Sequence, residues 1–477
     1  MDQIKTDKFY IGIDIGTTAT KAVCFDVDGN VIKQISHSYA MHHPKPNWSI
    51  QYPQEILDTV LRCINEITAG INPQFISFSA AMQSIIAIDE AGKPITDAVL
   101  WADSRADTIV ENLKQTNKAN DFYQKTGIPV HPFSPMTKIA WWKEFDSEIF
   151  LKAHKFISIK EYVWHYLTGE YSIDSSMASG TGLLNIHTLK WDDDILDFLQ
   201  IKPQQLSEIY EVTHQAKGIL DDFLYILGGG DGPLANLGTG AMNEGFMALT
   251  IGTSGAVRLP IRQPYLDNQM RTQCYHLHGS QYLSLGAVNN GAIVLQWLKE
   301  TILTTTVSYE ELFAGAEKIP AGSEGLLFVP YLLGERAPIW DASAQGSLLG
   351  MQIIHTQEHL VRATLEGILF GLFQITEILL PDPDKRKETI IMASGGFGKS
   401  QLWLQMVADI FQMKVQTSQT IEGSAWGAVL TGLQSTGIVV KNQNKAEKIF
   451  LPNPANKKVY TDSFAKFSKV YDLLKGL

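Results

Sequence analysis

The chain has 477 residues, of which 45% are hydrophobic and 19% charged, and its formal net charge is −11. This composition is typical of a globular protein with two or three domains, and the negative charge argues against a nucleic-acid or anionic-membrane partner. The three cysteines are too few and too widely spaced for a disulfide framework or a zinc site, which favours a cytoplasmic location.

The first half of the chain begins with strands and one helix. Apolar runs, turn signals and helical spacing predict strands at residues 9–15, 20–26, 31–36 and 75–79 and a helix at 53–69. Strands that alternate with helices indicate an α/β protein with a mixed sheet. Residues 110–220 then form a helix-rich region.

The second half repeats this plan. Strands are predicted at residues 246–250, 281–285 and 389–394, helices at 292–300 and 359–379, and a C-terminal helix at 460–477. The polar, glycine-containing segment at 242–245 marks the boundary, which gives domains 1–243 and 244–477. We expect the C-terminal helix to dock on the second domain.

A short phrase occurs once in each half. The first strand ends in Ile15-Gly16-Thr17-Thr18, and Ile251-Gly252-Thr253-Ser254 follows almost half a chain later. A strand that breaks into glycine and hydroxyl residues exposes backbone N–H groups, which can cradle an anion. Two such turns predict two similar domains that close on one polyphosphate. The alternative is a pair of unrelated hairpins.

Asp14 directly precedes the first of these turns. A carboxylate beside a phosphate site repels the phosphate unless a cation lies between them, and Mg²⁺ is the usual bridge. Asp14 is therefore a candidate magnesium ligand. The alternative is a turn-capping aspartate.

Asp231 is the second acidic candidate. It stands between three glycines and Gly232-Pro233, after an apolar run that predicts a strand. Glycines on both sides let a substrate approach the backbone, and a carboxylate there can accept a proton from a substrate hydroxyl. The alternative is an ordinary helix N-cap.

The segment 394–400 resembles a phosphate-binding P-loop, because it follows a strand and contains Gly398-Lys399-Ser400. The P-loop pattern requires glycine where this chain has Ala393, so the segment is not a P-loop. Gly395 and Gly396 at a helix start still offer a surface for a nucleotide.

A further group combines an aromatic face, an acceptor and a cation. Trp101, Asp103 and Arg105 lie within five residues, and Met82-Gln83 follows the predicted strand at 75–79. Such groups suit a polyhydroxylated ligand. The alternative for Asp103 and Arg105 is an ion pair beside a packed tryptophan.

These motifs fall in the order found in one family. Residues 133–141 and 346–366 resemble the two signatures of the FGGY carbohydrate kinases, which belong to the actin, sugar kinase and Hsp70 ATPase superfamily. The phrases at residues 14–18, 251–255 and 395–398 occupy their expected places between and around these signatures.

The resemblance implies two ribonuclease-H-like domains with a catalytic cleft between them, the sugar mainly on the first and ATP largely on the second. It implies a catalytic base, a magnesium-associated carboxylate, phosphate- and adenosine-binding turns and sugar-facing residues. Asp231 corresponds to the catalytic base and Asp14 to the magnesium-associated carboxylate. The phosphate-binding turns contain Thr17, Thr18, Gly252 and Thr253, and the adenosine-binding turn contains Gly395 and Gly396. The sugar-facing residues are Met82, Gln83, Trp101, Asp103 and Arg105.

Within the family, residues 158–162 and 288–291 resemble gluconate kinases, whereas residues 331–338 are shared with other branches. The implied reaction is ATP-dependent phosphorylation of D-gluconate to 6-phosphogluconate, with a homodimer as one possible assembly. Gln83 stands where xylulose kinases have histidine, so a pentulose or polyol kinase remains an alternative. Arg105 and Lys160 are candidates to bind the substrate carboxylate. An actin- or Hsp70-like ATPase switch is the alternative from another class.

Overall fold

The structure, a computed structural model, describes residues 8–418, 422–440 and 446–475. Each half of the chain builds one central sheet, and we call the parts around these sheets the first and second lobes. Among the described residues, no helix has the length and apolar character needed to cross a membrane.

The elements of the first half agree with the predicted strand and helix order. Its strands are β1 (Phe9–Ile15), β2 (Ala19–Phe25), β3 (Val31–Ser38), β4 (Ile50–Gln51), β5 (Pro73–Ala80), β6 (Ile86–Ile88), β7 (Ala98–Val99), β8 (Lys155–Ile157), β9 (Ser172–Asp174), β10 (Leu184–Asn185), β11 (Lys190–Trp191), β12 (Glu208–Tyr210), β13 (Gln215–Lys217) and β14 (Leu224–Gly230). Its helices are α1 (Pro53–Thr68), α2 (Asp107–Lys114), α3 (Lys118–Thr126), α4 (Pro135–Phe145), α5 (Ser147–Lys152), α6 (Ile159–Thr168), α7 (Ser175–Ser179), α8 (Asp193–Leu199) and α9 (Asp231–Gly238).

The first sheet has the strand order β13-β14-β5-β1-β2-β3. Strands β1, β2 and β3 are antiparallel neighbours, while β5 runs parallel to both β1 and β14. Helix α1 buries its apolar face, including Ile56, Val60 and Ile64, in the core on this sheet. The predicted opening meander and the helix that follows it are therefore confirmed.

The second half contains a comparable series. Its strands are β15 (Phe246–Ile251), β16 (Gly255–Ile261), β17 (Gln273–His278), β18 (Gln281–Val288), β19 (Leu327–Val329), β20 (Ser347–Leu349), β21 (Ile390–Ser394), β22 (Lys414–Ser418) and β23 (Ala446–Phe450). Its helices are α10 (Ala292–Trp297), α11 (Tyr309–Glu317), α12 (Gln357–Leu379), α13 (Pro383–Glu388), α14 (Gln401–Phe411), α15 (Gly423–Ser435) and α16 (Lys457–Leu474).

The second sheet has the order β17-β18-β16-β15-β21-β22-β23. Strands β18, β16 and β15 are antiparallel neighbours, and β15, β21 and β22 are parallel. This arrangement repeats the one around β1, with β15 in the place of β1 and β21 in the place of β5. The two sheets therefore have the ribonuclease-H-like order that the resemblance implies.

Several helices differ at their ends from the predicted ranges, and two of these differences have a local cause. Helix α12 begins at Gln357 rather than 359, because the His359 ring accepts a hydrogen bond from Thr356 N at 3.1 Å and caps the helix there. Helix α10 ends at Trp297, and a π-helical turn over Leu298–Ile302 completes the predicted segment.

Helix α15 joins the two lobes. It follows β22 along the chain, yet it packs on β1, β5 and α9 of the first lobe. The backbones meet directly, because a Cβ atom at Gly12 would lie 2.2 Å from Ala425 O and one at Gly427 would lie 2.0 Å from Leu234 O. Glycine at these two positions thus allows α15 to pack at close range on β1 and on α9.

The C-terminal helix α16 packs on the second lobe, as predicted. Tyr460, Phe467 and Val470 belong to the core that also contains strands β15 and β21. The last two residues of the predicted helix, 476 and 477, lie outside the described part of the chain.

Candidate active site

The first Gly-Thr turn lies where β1 ends beside β5. Gly16 N donates to Ala19 O at 2.9 Å and closes the turn. Gln51 Nε2 donates to Thr17 O at 2.6 Å, and Tyr39 N donates to Thr18 O at 3.1 Å. The backbone carbonyls are thereby held by the lobe, which fixes the turn in one conformation.

The second Gly-Thr turn is fixed by the start of α10. Gly252 N donates to Ser254 O at 2.9 Å, and Gly252 O accepts from Ala292 N at 2.8 Å. Thr253 O accepts from Gly291 N at 3.2 Å. Both turns are thus rigid loops at the end of a central strand, which is the geometry that an anion cradle requires.

The residues beside the two turns occupy equivalent positions. Asp14 pairs in register with Ser79, and Thr250 pairs with Ser394. Ser79 Oγ donates to Asp14 Oδ1 at 2.7 Å, while Thr250 Oγ1 and Ser394 Oγ lie 2.9 Å apart. Arg258 Nη1 donates to Thr250 Oγ1 at 3.2 Å. The first lobe therefore brings a carboxylate to this position, and the second brings a hydroxyl pair with a cation.

Gly395 and Gly396 follow β21 directly and lie against the second turn. Gly395 has φ +100°, and a Cβ atom there would lie 2.5 Å from Ile251 O. Glycine is therefore required at this position. Apart from the chain neighbours of Gly396, no heavy atom of the described residues lies within 4 Å of a Cβ atom built on this glycine, so this side of the turn is open among the residues that the structure describes. Trp403, by contrast, belongs to the core of the second lobe.

Asp231 lies at the point where β14 gives way to α9. Its Oδ1 accepts a hydrogen bond from Gly232 N at 2.7 Å. Burial raises the pKa of its carboxyl to about 6, and the negative charge of Asp14 adds to this effect, while the positive charge of Arg258 opposes it. A carboxylate with this pKa is ionised at neutral pH and is a stronger base than an exposed aspartate.

Asp14 is also a perturbed carboxyl group. Burial raises its pKa, and the hydrogen bond from Ser79 and the charge of Lys21 lower it. Asp14 and Asp231 thus place two partly buried carboxyl groups within electrostatic range of each other.

Met82 and Gln83 connect the catalytic end of the first lobe to the second lobe. A Cβ atom at Gly230 would lie 2.7 Å from Met82 Sδ, so Met82 packs directly beside the residue that precedes Asp231. Gln83 Nε2 donates to Tyr275 OH at 2.8 Å. Tyr275 belongs to β17, and this hydrogen bond therefore crosses from one lobe to the other.

Trp101 completes the first-lobe side of the site. Its Nε1 donates to Thr17 Oγ1 at 3.4 Å, so the indole reaches the first Gly-Thr turn. The loop before it is held by Lys138, whose Nζ donates to Leu100 O and, at 3.0 Å, to Phe133 O. The residues 133–141 that carry the family resemblance thus support the loop that presents Trp101.

Known proteins match the chain along most of its length. Residues 9–230 match the N-terminal domain of the FGGY family of carbohydrate kinases, and residues 247–435 match its C-terminal domain. The chain belongs to the FGGY family of carbohydrate kinases. Membership makes it a phosphotransferase with a carbohydrate hydroxyl as acceptor and ATP as co-substrate.

Individual members of the family agree with this assignment. A gluconokinase of Bacillus subtilis (strain 168) is 39% identical over 452 residues, which cover 90% of this chain and 88% of that protein. A xylulose kinase of the same strain is 30% identical, with 98% of each chain covered. The crystal structure of gluconate kinase from Lactobacillus acidophilus superposes with a TM-score of 0.95 at 35% identity and covers 99% of both chains.

Two of the predicted sugar-facing residues of this FGGY kinase form a buried ion pair. Arg105 Nη2 and Asp103 Oδ2 lie 2.8 Å apart, and Arg105 Nε donates to Asp103 Oδ1 at 2.8 Å. The guanidinium also lies 3.6 Å above the ring of Trp48, and the two side chains are only 5% and 0% exposed. This geometry favours the alternative of a structural ion pair.

Lys160 has a similar environment. Its Nζ donates to Asp174 Oδ2 at 2.6 Å, and both side chains are buried. The pair joins α6 to the end of β9. Its ammonium group is therefore already neutralised by a carboxylate within the first lobe.

Sequence reasoning missed Arg258, whose positive charge acts on Asp231, and also Tyr275 and Arg336. Burial raises the pKa of the Tyr275 hydroxyl, and the charges of Arg336, Asp231 and Arg258 also act on it, so these side chains lie within electrostatic range of Tyr275. A side chain at Gly232 would meet Arg258 Nε at 3.3 Å. Arg258 could have been identified from the sequence, because it is a charged residue within the otherwise apolar run that follows the second turn.

Proposed function

We propose that this protein transfers the γ-phosphoryl group of ATP to the terminal hydroxyl of gluconate and forms 6-phosphogluconate. The observation that carries the chemistry is Asp231, which lies where β14 gives way to α9 and accepts a hydrogen bond from Gly232 N, with a pKa raised to about 6 by burial and by the charge of Asp14. The relatives support gluconate as the substrate, because a gluconokinase is 39% identical to this chain and a xylulose kinase is 30% identical.

Asp231 would orient the substrate hydroxyl and accept its proton as the phosphoryl group arrives. The N–H groups and hydroxyls of the two turns, including Thr17, Thr18, Gly252 and Thr253, would hold the phosphates in line. In phosphoryl transfer, most of the rate gain comes from such positioning and from charge stabilisation.

Asp14 fits the magnesium role. Ser79 occupies one carboxylate oxygen, and the negative charges of Asp14 and Asp231 destabilise each other, which a divalent cation would relieve. The described residues contain no cluster of three metal-binding side chains, so phosphate oxygens and water would complete the shell, as is usual for Mg²⁺. When bound, the ion would neutralise charge on the phosphates.

Gly395 and Gly396 would receive the adenosine part of ATP on the second lobe, since the open face of Gly396 lies beside the second turn. Met82, Gln83 and Trp101 would line the sugar on the first lobe. Cytoplasmic location and a homodimer remain predictions.

A substrate screen tests the proposal. ATP-dependent phosphorylation is measured with gluconate, xylulose, ribulose, fuculose and glycerol, and with no acceptor as the control for bare ATP hydrolysis. We expect the highest kcat/KM with gluconate. If gluconate were inert and a ketopentose were turned over, the xylulose kinase alternative would replace it. Sugar-independent hydrolysis at the full rate would instead support the ATPase switch.

A further inference from the structure

Arg258 occupies a position that its counterpart in the first lobe fills with an apolar side chain. In the first sheet, Val23 of β2 pairs in register with Gly12 of β1. In the second sheet, Arg258 of β16 pairs with Ala248 of β15. Gly12 and Ala248 stand at the same distance before the two Gly-Thr turns, so the two paired positions are equivalent. Val23 is fully buried between the first sheet and α15, and the fold therefore needs no charge at this position.

The side chain of Arg258 reaches from the second lobe to α9 of the first lobe. Its Nη1 donates to Thr250 Oγ1 at 3.2 Å, beside the second Gly-Thr turn. A Cβ atom built on Gly232 would lie 3.3 Å from Arg258 Nε and 3.7 Å from its Nη2, so the guanidinium lies against the backbone directly after Asp231. Burial raises the pKa of the Asp231 carboxyl, and the positive charge of Arg258 opposes this rise.

The guanidinium of Arg258 keeps most of its donors available. Within the described part of the chain, the Thr250 hydroxyl is the one hydrogen-bond acceptor of this group, and no carboxylate forms a salt bridge with it. A guanidinium has five N–H donors, and placing a charge in a partly buried site costs free energy unless a partner compensates. A cation with free donors, where valine would complete the fold, indicates an anionic ligand.

The transferred phosphoryl group is an anion that passes this point in the proposed reaction. It would leave the phosphate-holding turn beside Thr250 and arrive at the hydroxyl oriented by Asp231, and Arg258 contacts both ends of this path. We propose that Arg258 donates hydrogen bonds to the phosphoryl group during its transfer and is a catalytic residue. The bond from phosphorus to the ADP oxygen breaks, the bond to the substrate oxygen forms, and the hydroxyl proton passes to Asp231. This inference rests on the proposed function.

The substrate carboxylate is the other anion of the proposed reaction. It stands at the opposite end of the six-carbon chain from the hydroxyl that Asp231 would orient. Because the Arg258 guanidinium lies against Gly232, the residue next to Asp231, its position favours the reacting end of the substrate. Binding of the carboxylate by Arg258 is therefore the alternative that the experiment has to separate.

Two variants and one control test this role. Arg258→Val introduces the residue of the equivalent first-lobe position, and Arg258→Lys keeps the charge but loses the planar fork. The control is Arg262→Met, because Arg262 directly follows the far end of β16 and is exposed, with its Nε 3.2 Å from Glu244 Oε1. For each protein, the melting temperature and the kcat and KM for gluconate are measured, with rates taken up to about pH 9 so that Asp231 is ionised.

We expect the kcat of Arg258→Val to fall about a hundredfold to a thousandfold, the range for losing a donor that stabilises developing charge. The KM for gluconate should change less than about threefold, and Arg258→Lys should have an intermediate kcat. The melting temperature of Arg258→Val should stay equal or rise, because an apolar side chain replaces a partly buried cation. The control should keep the kcat of the wild-type protein.

A transition-state analogue separates catalysis from a structural role. ADP, magnesium and aluminium fluoride together with gluconate imitate the phosphoryl group during transfer, and a protein that stabilises the transition state binds such a complex more tightly than ADP alone. We expect aluminium fluoride to tighten ADP binding about tenfold more in the wild-type protein than in Arg258→Val. Binding of ADP alone should be equal in both proteins, as measured by titration calorimetry.

Three outcomes would overturn the inference. A kcat that recovers fully at about pH 9 would mean that Arg258 acts only through the pKa of Asp231. A higher KM for gluconate with unchanged kcat would assign Arg258 to the substrate carboxylate. Equal tightening by aluminium fluoride in a folded variant would leave a structural role, and Arg258→Lys provides the same comparison if Arg258→Val does not fold. Failure of the proposed function has a different signature, because the wild-type protein itself would then not phosphorylate gluconate.

Discussion

Replacing Asp231 by asparagine should slow turnover severely and stabilise the protein. Asparagine keeps the size of the side chain but cannot accept the proton, so we expect kcat to fall about a hundredfold to ten-thousandfold. ATP binding should be retained, because the turns that would hold the phosphates are untouched. The two effects have one cause, a carboxylate that is held ionised in a buried place.

The magnitude follows from the pKa of Asp231. Folding raises it from 3.8 to about 6, and each unit corresponds to about 1.36 kcal/mol. If the Asp231 carboxylate were fully buried, its ionisation would therefore lower the free energy of unfolding by about 3 kcal/mol at pH 7. Because the side chain is still partly exposed to solvent in the cleft, we expect a cost of about 2 kcal/mol.

The contribution of Asp231 to the free energy of unfolding depends on pH, and its sign follows from the raised pKa. Below about pH 4 the carboxyl is protonated in both states, so Asp231 costs nothing. Between about pH 4 and 6 the folded protein binds more protons than the unfolded chain, so the stability contributed by the protonated group is lost as the pH rises. The advantage of Asp231→Asn should hence appear across this window and stay constant above about pH 7.

The assay is urea and thermal denaturation of both proteins from pH 4 to 8 in EDTA, with initial rates measured separately. The control is Asp174→Asn, which should destabilise, because Asp174 is paired with Lys160 at 2.6 Å. If Asp231→Asn were less stable than the wild-type protein at pH 7, or kept its turnover, the reasoning about a strained catalytic base would be refuted.

Three further predictions concern the site and its support. The acid limb of kcat/KM should have a pKa near 6, because Asp231 must be ionised, and a limb near 4 in a pH–rate profile would contradict this. Gly238→Ala should lower the free energy of unfolding by about 1–3 kcal/mol, measured by urea denaturation, because the added Cβ would lie 2.0 Å from Gly423 O. The same change at Gly371 should be neutral or slightly stabilising, because among the described residues outside its own helix backbone no heavy atom lies within 4 Å of the added Cβ. Arg105→Met should destabilise by about 3 kcal/mol, because it leaves Asp103 buried and unpaired; a higher sugar KM without loss of stability would instead support the predicted sugar contact.

The sequence by itself determined the elements that depend on local chemistry. Strand alternation, helical spacing and turn residues predicted β1, β2, β3 and α1, and the repeated Gly-Thr phrase predicted the duplication of the sheet. Turn geometry is local, because glycine and hydroxyl residues set the backbone shape wherever they occur. For the same reason Asp14 and Asp231 could be named as the acidic candidates before their surroundings were known.

Only the tertiary structure decided which charges are free to meet a ligand. Arg105 and Lys160 looked like substrate cations in the sequence, but the fold gives each a buried carboxylate partner. Arg258 and Arg336 lie far apart along the chain, and only the folding of the second lobe brings both within electrostatic range of Tyr275. Whether a charged side chain is neutralised depends on its packing. Lys160 meets Asp174 only when α6 lies against the end of β9, and burial of the loop at residues 103–105 favours the ion pair over a ligand contact.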